Sequence, residues 1–278
     1  MKTLTIITGA SKGLGFELTR QSLKAGDTVV TMERRPSKAL VEEADKIGCN
    51  FIQFTADLLD RKGAVELLMW LLSDKEYAEH DRLILINNAS VLGPVGPIEN
   101  ASPQVAVDCI RVNFEIPVLL TQAFLNETRS WRGERRVMNI SSGAGRKSVP
   151  GWAMYCSTKA ALDRFTAVTA EDQLGKPNPA RLSAVAPGVV NTGMQGSIRA
   201  SSKEDFPNVD RFIDLEKTSE PRRHCQTTFK LPQQRRVRQR AHLGYSQYFC
   251  WRLKWKTRKK PSKKKTFLRL RTISLPNV

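Results

Sequence analysis

A run rich in β-branched residues, Thr3-Leu4-Thr5-Ile6-Ile7-Thr8, passes directly into Gly9-Ala10-Ser11-Lys12-Gly13-Leu14-Gly15, and an amphipathic segment follows over residues 13–25. Strand, glycine turn and helix in immediate succession leave few folds open. The same alternation then repeats. Strand-like runs occur at 28–32 (TVVTM), 50–54 (NFIQF), 82–87 (RLILIN), 136–140 (RVMNI) and 181–186 (RLSAVA). Amphipathic segments such as 60–74, 102–129 and 152–174 lie between them. This order predicts right-handed βαβ units and a parallel sheet covered on both faces. Such sheets bind ligands beyond the carboxyl ends of their strands, so chemistry-bearing residues are expected just after each strand.

The glycine segment fits that rule. Glycines allow a tight turn and close backbone approach to a pyrophosphate, and the following helix offers free N–H groups and a positive dipole end. A glycine triplet alone is equally an ordinary turn; its place between strand and helix favours a dinucleotide. The second strand ends at Glu33-Arg34-Arg35, about 20 residues on, where an adenosine ribose is expected. An acid there suits a free 2′-hydroxyl and an arginine suits a 2′-phosphate; this chain has both. Arg34 with Lys12 in the loop favours NADP(H), although an arginine pair is also a common solvated turn.

Tyr155 and Lys159 stand four residues apart in YCSTK, on one helical face, and Asn139-Ile140-Ser141-Ser142-Gly143 precedes them at the end of a strand. With the TGxxxGxG loop, Asn87-Asn88-Ala89 and the Pro187-Gly188 turn in the same order, the chain resembles the short-chain dehydrogenase/reductase family. The likeness covers residues 1 to about 221. It implies a Rossmann-type doubly wound parallel sheet in three α/β/α layers.

The resemblance also implies an oxidoreductase whose Tyr155 donates a proton to a carbonyl oxygen while a nicotinamide hydride reaches the carbon. A phenol of pKa near 10 needs a neighbouring cation to exchange protons at neutral pH, and Lys159 would be that cation. Lys159 would also hold the nicotinamide ribose. Ser142, rather than Ser141, would hydrogen-bond the substrate oxygen. Asn113, in the helix after the fourth strand, would position a relay water. Gly9, Ser11, Lys12, Gly13, Leu14 and Gly15 would cradle phosphate, and Asp57 and Leu58 would meet adenine. Asn88 and Ala89 would flank the ribose, while the Pro187-Gly188 turn would lie at the cofactor after the sixth strand, where Val190 and Thr192 would fix the carboxamide. Ser90 departs from the family, which usually has glycine there; a small residue should be tolerated. The helices carrying Asn113 and Tyr155 pair subunits in this family, so a homodimer is expected.

Within the family the likeness narrows to the benzil reductase and sepiapterin reductase branch. It rests on Gly151-Trp152, Tyr155-Cys156, Thr192-Gly193-Met194-Gln195 and the stretch from Ser197 to Phe212. That stretch suits a mobile substrate lid, and Trp152, Met194 and Phe206 are candidate walls of an apolar pocket, with simple packing the alternative reading of the aromatics. Sepiapterin reductases hold the pterin with an acid near the C-terminus, whereas this chain has no acid after Glu220. A ketone or aromatic diketone is therefore the expected small-molecule substrate, with a pterin the alternative.

The formal net charge of +18 comes wholly from residues 222–278, which hold 18 Lys or Arg and no acid, leaving 27 bases against 27 acids before them. Likeness and acids stop at the same point, before the final strand and helix that the family should have. This segment reads as a disordered or aberrant tail, a frame or splicing artefact of an ordinary reductase. A basic arm for nucleic acid, with Tyr245, Tyr248, Phe249, Trp251 and Trp255 as stacking groups, and a solvated extension without a specific partner are the alternatives. Nucleic-acid binding is not expected to be the function. An unpaired sheet edge would lower stability and activity. Five scattered cysteines and three isolated histidines give no metal spacing. With no apolar run near the roughly 18 residues that span a membrane, and no convincing signal peptide, the expected location is the cytoplasm.

Overall fold

The computed structural model describes residues 1–73, 79–188, 190 and 192–218; the basic segment 222–278, and with it Cys225 and Cys250, lies outside the described residues. Six strands form one parallel sheet: β1 (Thr3–Thr8), β2 (Thr28–Glu33), β3 (Phe51–Thr55), β4 (Arg82–Asn87), β5 (Glu134–Ile140) and β6 (Arg181–Val185). Their order is β3-β2-β1-β4-β5-β6, so the chain winds out from β1 in both directions. The helices are α1 (Gly13–Ala25), α2 (Lys38–Ile47), α3 (Arg61–Ser73), α4 (Pro103–Ile110), α5 (Ile116–Glu127), α6 (Ala153–Glu171), α7 (Gly193–Arg199) and α8 (Val209–Thr218). The doubly wound α/β reading of the sequence is borne out. β6 is the last strand among the described residues, paired on one side to β5.

Alternation along the strands feeds two cores. Leu4, Ile6, Val30, Met32, Leu83, Leu85 and Val137 face α3 and α5. Ile7, Val29, Ile84, Ile86, Met138 and Ile140 face α1 and α2. In α3 the buried residues are Ala64, Leu67, Leu68 and Leu71, and in α5 Ile116, Leu120, Ala123 and Phe124 are buried among others. That spacing gives each helix one apolar stripe. Each fully buried side chain such as Leu68 or Phe124 contributes about 1.5–3 kcal/mol.

Helices α4 and α5 are joined by a π-helical stretch, Arg111–Glu115, in which the Ile116 N–H bonds back to the Arg111 carbonyl. Pro117 has no N–H to give the carbonyl of Asn113, four residues earlier, so a regular α-helical ladder cannot run through this point. The distortion sits beside the strand ends that carry the candidate site. No helix among the described residues is long and apolar enough to cross a membrane.

Candidate active site

Parallel strands bring Gly9 after β1, Glu33 at the end of β2, Asp57 after β3, Asn88 after β4, Ser142 after β5 and Gly188 after β6 to one edge. The glycine loop is tied down there from two sides. The Gly9 N–H donates to the Met32 carbonyl at 2.8 Å, and Asn88 Nδ2 donates to the carbonyls of Thr8 (2.9 Å) and Gly9 (3.0 Å). The Thr8 hydroxyl accepts from the N–H groups of Asn88 (3.0 Å) and Ala89 (3.1 Å). Asn88 thus acts on the loop through its side chain. A Cβ on Gly15 would lie 2.2 Å from the Gly9 carbonyl oxygen and 2.4 Å from Asn88 Nδ2, so only glycine lets α1 begin this close to β1.

Around the loop, Lys12 and Arg34 are exposed and Ser11 is half-buried. Glu33 is buried, accepting from the Thr31 hydroxyl at 2.9 Å and from the Ala10 N–H; burial pushes its carboxyl up to about 7 against those bonds. Asp57 Oδ1 accepts from the Leu59 N–H at 3.0 Å, which fixes the turn, while the Leu58 side chain packs into the core. Thr192 lies against Gly13, where a Cβ would come 3.0 Å from its methyl. A side-chain-free loop at a helix start, with two exposed cations beside it, fits a phosphate-bearing dinucleotide.

Across the same edge, α6 presents Tyr155 and Lys159, both buried. The Lys159 ammonium lies 5.7 Å from the centre of the Tyr155 ring and donates to the Ile140 carbonyl at 2.8 Å. Burial brings its pKa down to about 8, with Cys109 and Asp163 opposing. Burial also raises the Tyr155 phenol above its ordinary value, opposed by hydrogen bonds to the hydroxyls of Ser142 and Ser90; Cys109 and Cys156 add to the rise. Ser142 also accepts from the Ala144 N–H at 3.2 Å at the start of a short 3-10 turn. Of the two adjacent serines, Ser142 reaches the phenol.

Asn113 is fully buried in the π-helical stretch. Its Oδ1 accepts from Ser90 Oγ (3.0 Å) and the Val91 N–H (2.8 Å). Its Nδ2 donates to the Val91 carbonyl (2.8 Å) and to Thr158 Oγ1 (3.3 Å). The side-chain amide is therefore committed to the loop after β4 and to α6. A second buried network lies beneath it. Asn87 Nδ2 donates to Asn139 Oδ1 (2.8 Å), and Asn139 Nδ2 donates to Thr166 Oγ1 (2.8 Å). These bonds lock β4, β5 and α6 behind the tyrosine. Sequence reading passed over Thr158, Thr166 and Asn139 as site supports, because a buried threonine on an amphipathic helix has no signature of its own.

Trp152 stacks on Phe206 (centroids 4.8 Å apart, planes 6° apart) and meets the Tyr155 ring edge-on at 5.7 Å. Phe212 closes the group, and Met194 packs against it. The two aromatic rings expected to line a pocket thus largely fill one another, joining α7 and α8 to the start of α6. Gly151, at φ +82°, passes so close to the segment before α8 that a Cβ would lie 2.3 Å from the Asp205 carbonyl oxygen. Pro187 and Val190 are half-buried and Gly188 is exposed.

A doubly wound sheet with a glycine loop and, on its carboxyl edge, a buried Tyr-Lys pair beside half-buried Ser142 defines a Rossmann-type oxidoreductase. The family profile described as short chain dehydrogenase matches residues 3–203, and the chain belongs to that family. It is 39% identical over 210 residues to a benzil reductase ((S)-benzoin forming) of Bacillus cereus, covering 76% of this chain and 84% of the relative. It is 28% identical over 201 residues to a sepiapterin reductase of Xenopus laevis, covering 69% of this chain and 74% of the relative. Among solved structures, a metagenomic short-chain oxidoreductase in complex with NADP is similar, with a TM-score of 0.60 and 27% identity over 79% of this chain and 92% of that one.

Proposed function

We propose that this chain is an NADPH-dependent carbonyl reductase for a ketone or aromatic diketone, with Tyr155 as its general acid. The observation that carries the reading is the buried Tyr155 phenol, with the Ser142 hydroxyl beside it and the Lys159 ammonium 5.7 Å from its ring centre, at the edge that also holds the glycine loop. The likeness to a benzil reductase supports the substrate class, and the likeness to an NADP complex supports the cofactor.

Gly9, Gly13 and Gly15 would hold the pyrophosphate with Ser11 and Leu14, Lys12 and Arg34 would face the 2′-phosphate, and Asp57 with Leu58 would border adenine. Ala89, Pro187, Gly188, Val190, Thr192 and Lys159 would hold the nicotinamide end. When bound, the reduced nicotinamide supplies the hydride. Ser142 holds the substrate oxygen beside Tyr155, which gives that oxygen its proton. Lys159 keeps positive charge near the phenolate that remains. With the Asn113 amide committed, a relay water beside Lys159 is held through the main chain, where Pro117 withholds the α-helical donor. Met194 bounds the substrate on the α7 side, with the stacked Trp152 and Phe206 rings packed behind it. Exposed Val107, Ile110 and Val168 on α4 and α6 fit a homodimer paired through those helices.

The test is NADPH oxidation with benzil, related diketones and sepiapterin, for the chain and for Tyr155→Phe. Turnover on diketones that Tyr155→Phe lowers about 10²–10⁴-fold supports the reading; a clear preference for sepiapterin overturns the substrate, and activity surviving in Tyr155→Phe overturns the acid.

A further inference from the structure

The hydrogen bonds of Asn113 lead to a hydroxyl outside the Ser-Tyr-Lys group. Ser90, in the loop leaving β4, donates to Asn113 Oδ1 at 3.0 Å, and the same hydroxyl meets the Tyr155 phenol. The neighbouring Val91 N–H also donates to Asn113 Oδ1, at 2.8 Å. Three segments distant in sequence, the β4 loop, the π-helical stretch and α6, thus meet at the Ser90 hydroxyl.

We infer that Ser90 is a positioning residue for the proton-donating tyrosine, its hydroxyl turning from Asn113 Oδ1 to the Tyr155 oxygen when that oxygen becomes a phenolate. The inference rests on the reading of Tyr155 as general acid. A serine hydroxyl has one proton to give and two lone pairs to offer. While Tyr155 is a phenol, its own O–H is directed at the substrate and Ser90 gives its proton to Asn113. In the reduction, the substrate carbon gains hydride from the reduced nicotinamide and its oxygen gains the phenolic proton, which leaves Tyr155 anionic.

A hydrogen bond to an anion is roughly twice as strong as one to a neutral amide. The phenolate therefore draws the Ser90 proton away from Asn113. Asn113 Oδ1 keeps the Val91 N–H and is not left unpaired. Ser90 neither gains nor loses a proton over the cycle; Tyr155 regains its own from solvent. The other groups that face Tyr155 are Lys159 on α6, Cys109 at the end of α4, Cys156 on α6 and the Ser142 hydroxyl after β5. Of these only Ser142 and Lys159 favour the anion, so Ser90 adds a second hydroxyl donor in a buried site.

The experiment is a tyrosinate absorbance titration of the whole protein, with Tyr155→Phe subtracted to isolate one phenol. Ser90→Ala is expected to raise the Tyr155 transition by about one pH unit, the size of one hydrogen bond to a charged group. Ser90→Thr, which keeps the hydroxyl, is expected to restore it. In the reverse direction, oxidation of benzoin with NADP⁺, the acidic limb of kcat/KM is expected to move alkaline by the same amount in Ser90→Ala. Coincident titrations of wild type and Ser90→Ala overturn the inference whatever the substrate proves to be. Full turnover in Tyr155→Phe overturns the underlying assignment of the acid instead.

Discussion

Lys159 donates from the middle of α6 to the main-chain carbonyl of Ile140, the last residue of β5, at 2.8 Å. One bond therefore joins the helix that carries the tyrosine to the strand that delivers Ser142. Lys159 is 2% exposed and burial holds its pKa near 8, below the ordinary 10.5. The native protein thus carries a buried charge that the fold tolerates rather than gains from.

Lys159→Met should accordingly separate stability from activity. Replacing the buried charge by an apolar chain of similar length is expected to stabilise the protein by about 1–2 kcal/mol at pH 7, after allowing for the bond lost to Ile140. The native lysine deprotonates before the unfolded one, so wild-type stability rises as pH climbs from about 8 towards 10.5 and the advantage of the variant fades across that window. Turnover is expected to fall at least about 100-fold. Thermal melts against pH, alongside steady-state rates, check both halves; a destabilised variant at pH 7 refutes the first.

Glu33 gives a slope of opposite sign. Burial lifts its carboxyl from 4.5 to about 7, so between those values the native state keeps a proton that the unfolded chain has released. Stability therefore falls as pH rises through that window. Glu33→Gln removes this slope and is expected to be more stable than wild type by about 1–3 kcal/mol at pH 8. Asp27, raised to about 6 by burial, leaves a residual slope of the same sign. Denaturation curves between pH 5 and 8 that run parallel in the two proteins would count against this account.

Arg34 stands exposed directly after the buried acid at the end of β2. If the cofactor reading holds, Arg34→Ala removes one charged hydrogen bond to a 2′-phosphate. KM for NADPH is then expected to rise about 10–100-fold, with little change for NADH. Initial-rate kinetics with both cofactors decide it, and equal losses for the two would contradict the assignment.

Gly151 holds the α7–α8 segment against the start of α6. At φ +82°, and with a Cβ only 2.3 Å from the Asp205 carbonyl oxygen, Gly151→Ala must push that segment away. A cost of about 1–3 kcal/mol and faster proteolysis within residues 193–218 are expected. KM for the carbonyl substrate should rise while the pH dependence of turnover stays in place, because the polar partners of the Tyr155 phenol, Ser142 and Ser90, lie outside that segment. Unchanged proteolysis is the adverse result.

Much of this molecule is written locally. A β-branched run ending in glycines fixes a strand, turn and helix start within 15 residues, and β1 is Thr3–Thr8 as its sequence reads. Tyr155 and Lys159, four apart, share a helical face because the helix repeat places them there. The concentration of positive charge after residue 221 is likewise plain from counting.

What the sequence did not disclose depends on contacts across long separations. Ser90 reads as a tolerated replacement for glycine, yet folding sets it between Asn113, 23 residues away, and Tyr155. Trp152 and Phe206 read equally as pocket walls or as packing, and folding stacked them on each other. Glu33 and Arg34 read as an acid and an arginine competing for one ribose position, but the pleat turned one under the glycine loop and left the other in water. Backbone periodicity therefore determined the elements and the spacing of Tyr155 and Lys159. Only the tertiary structure, by burying some polar groups and pairing them, decided which neighbours those groups would titrate against.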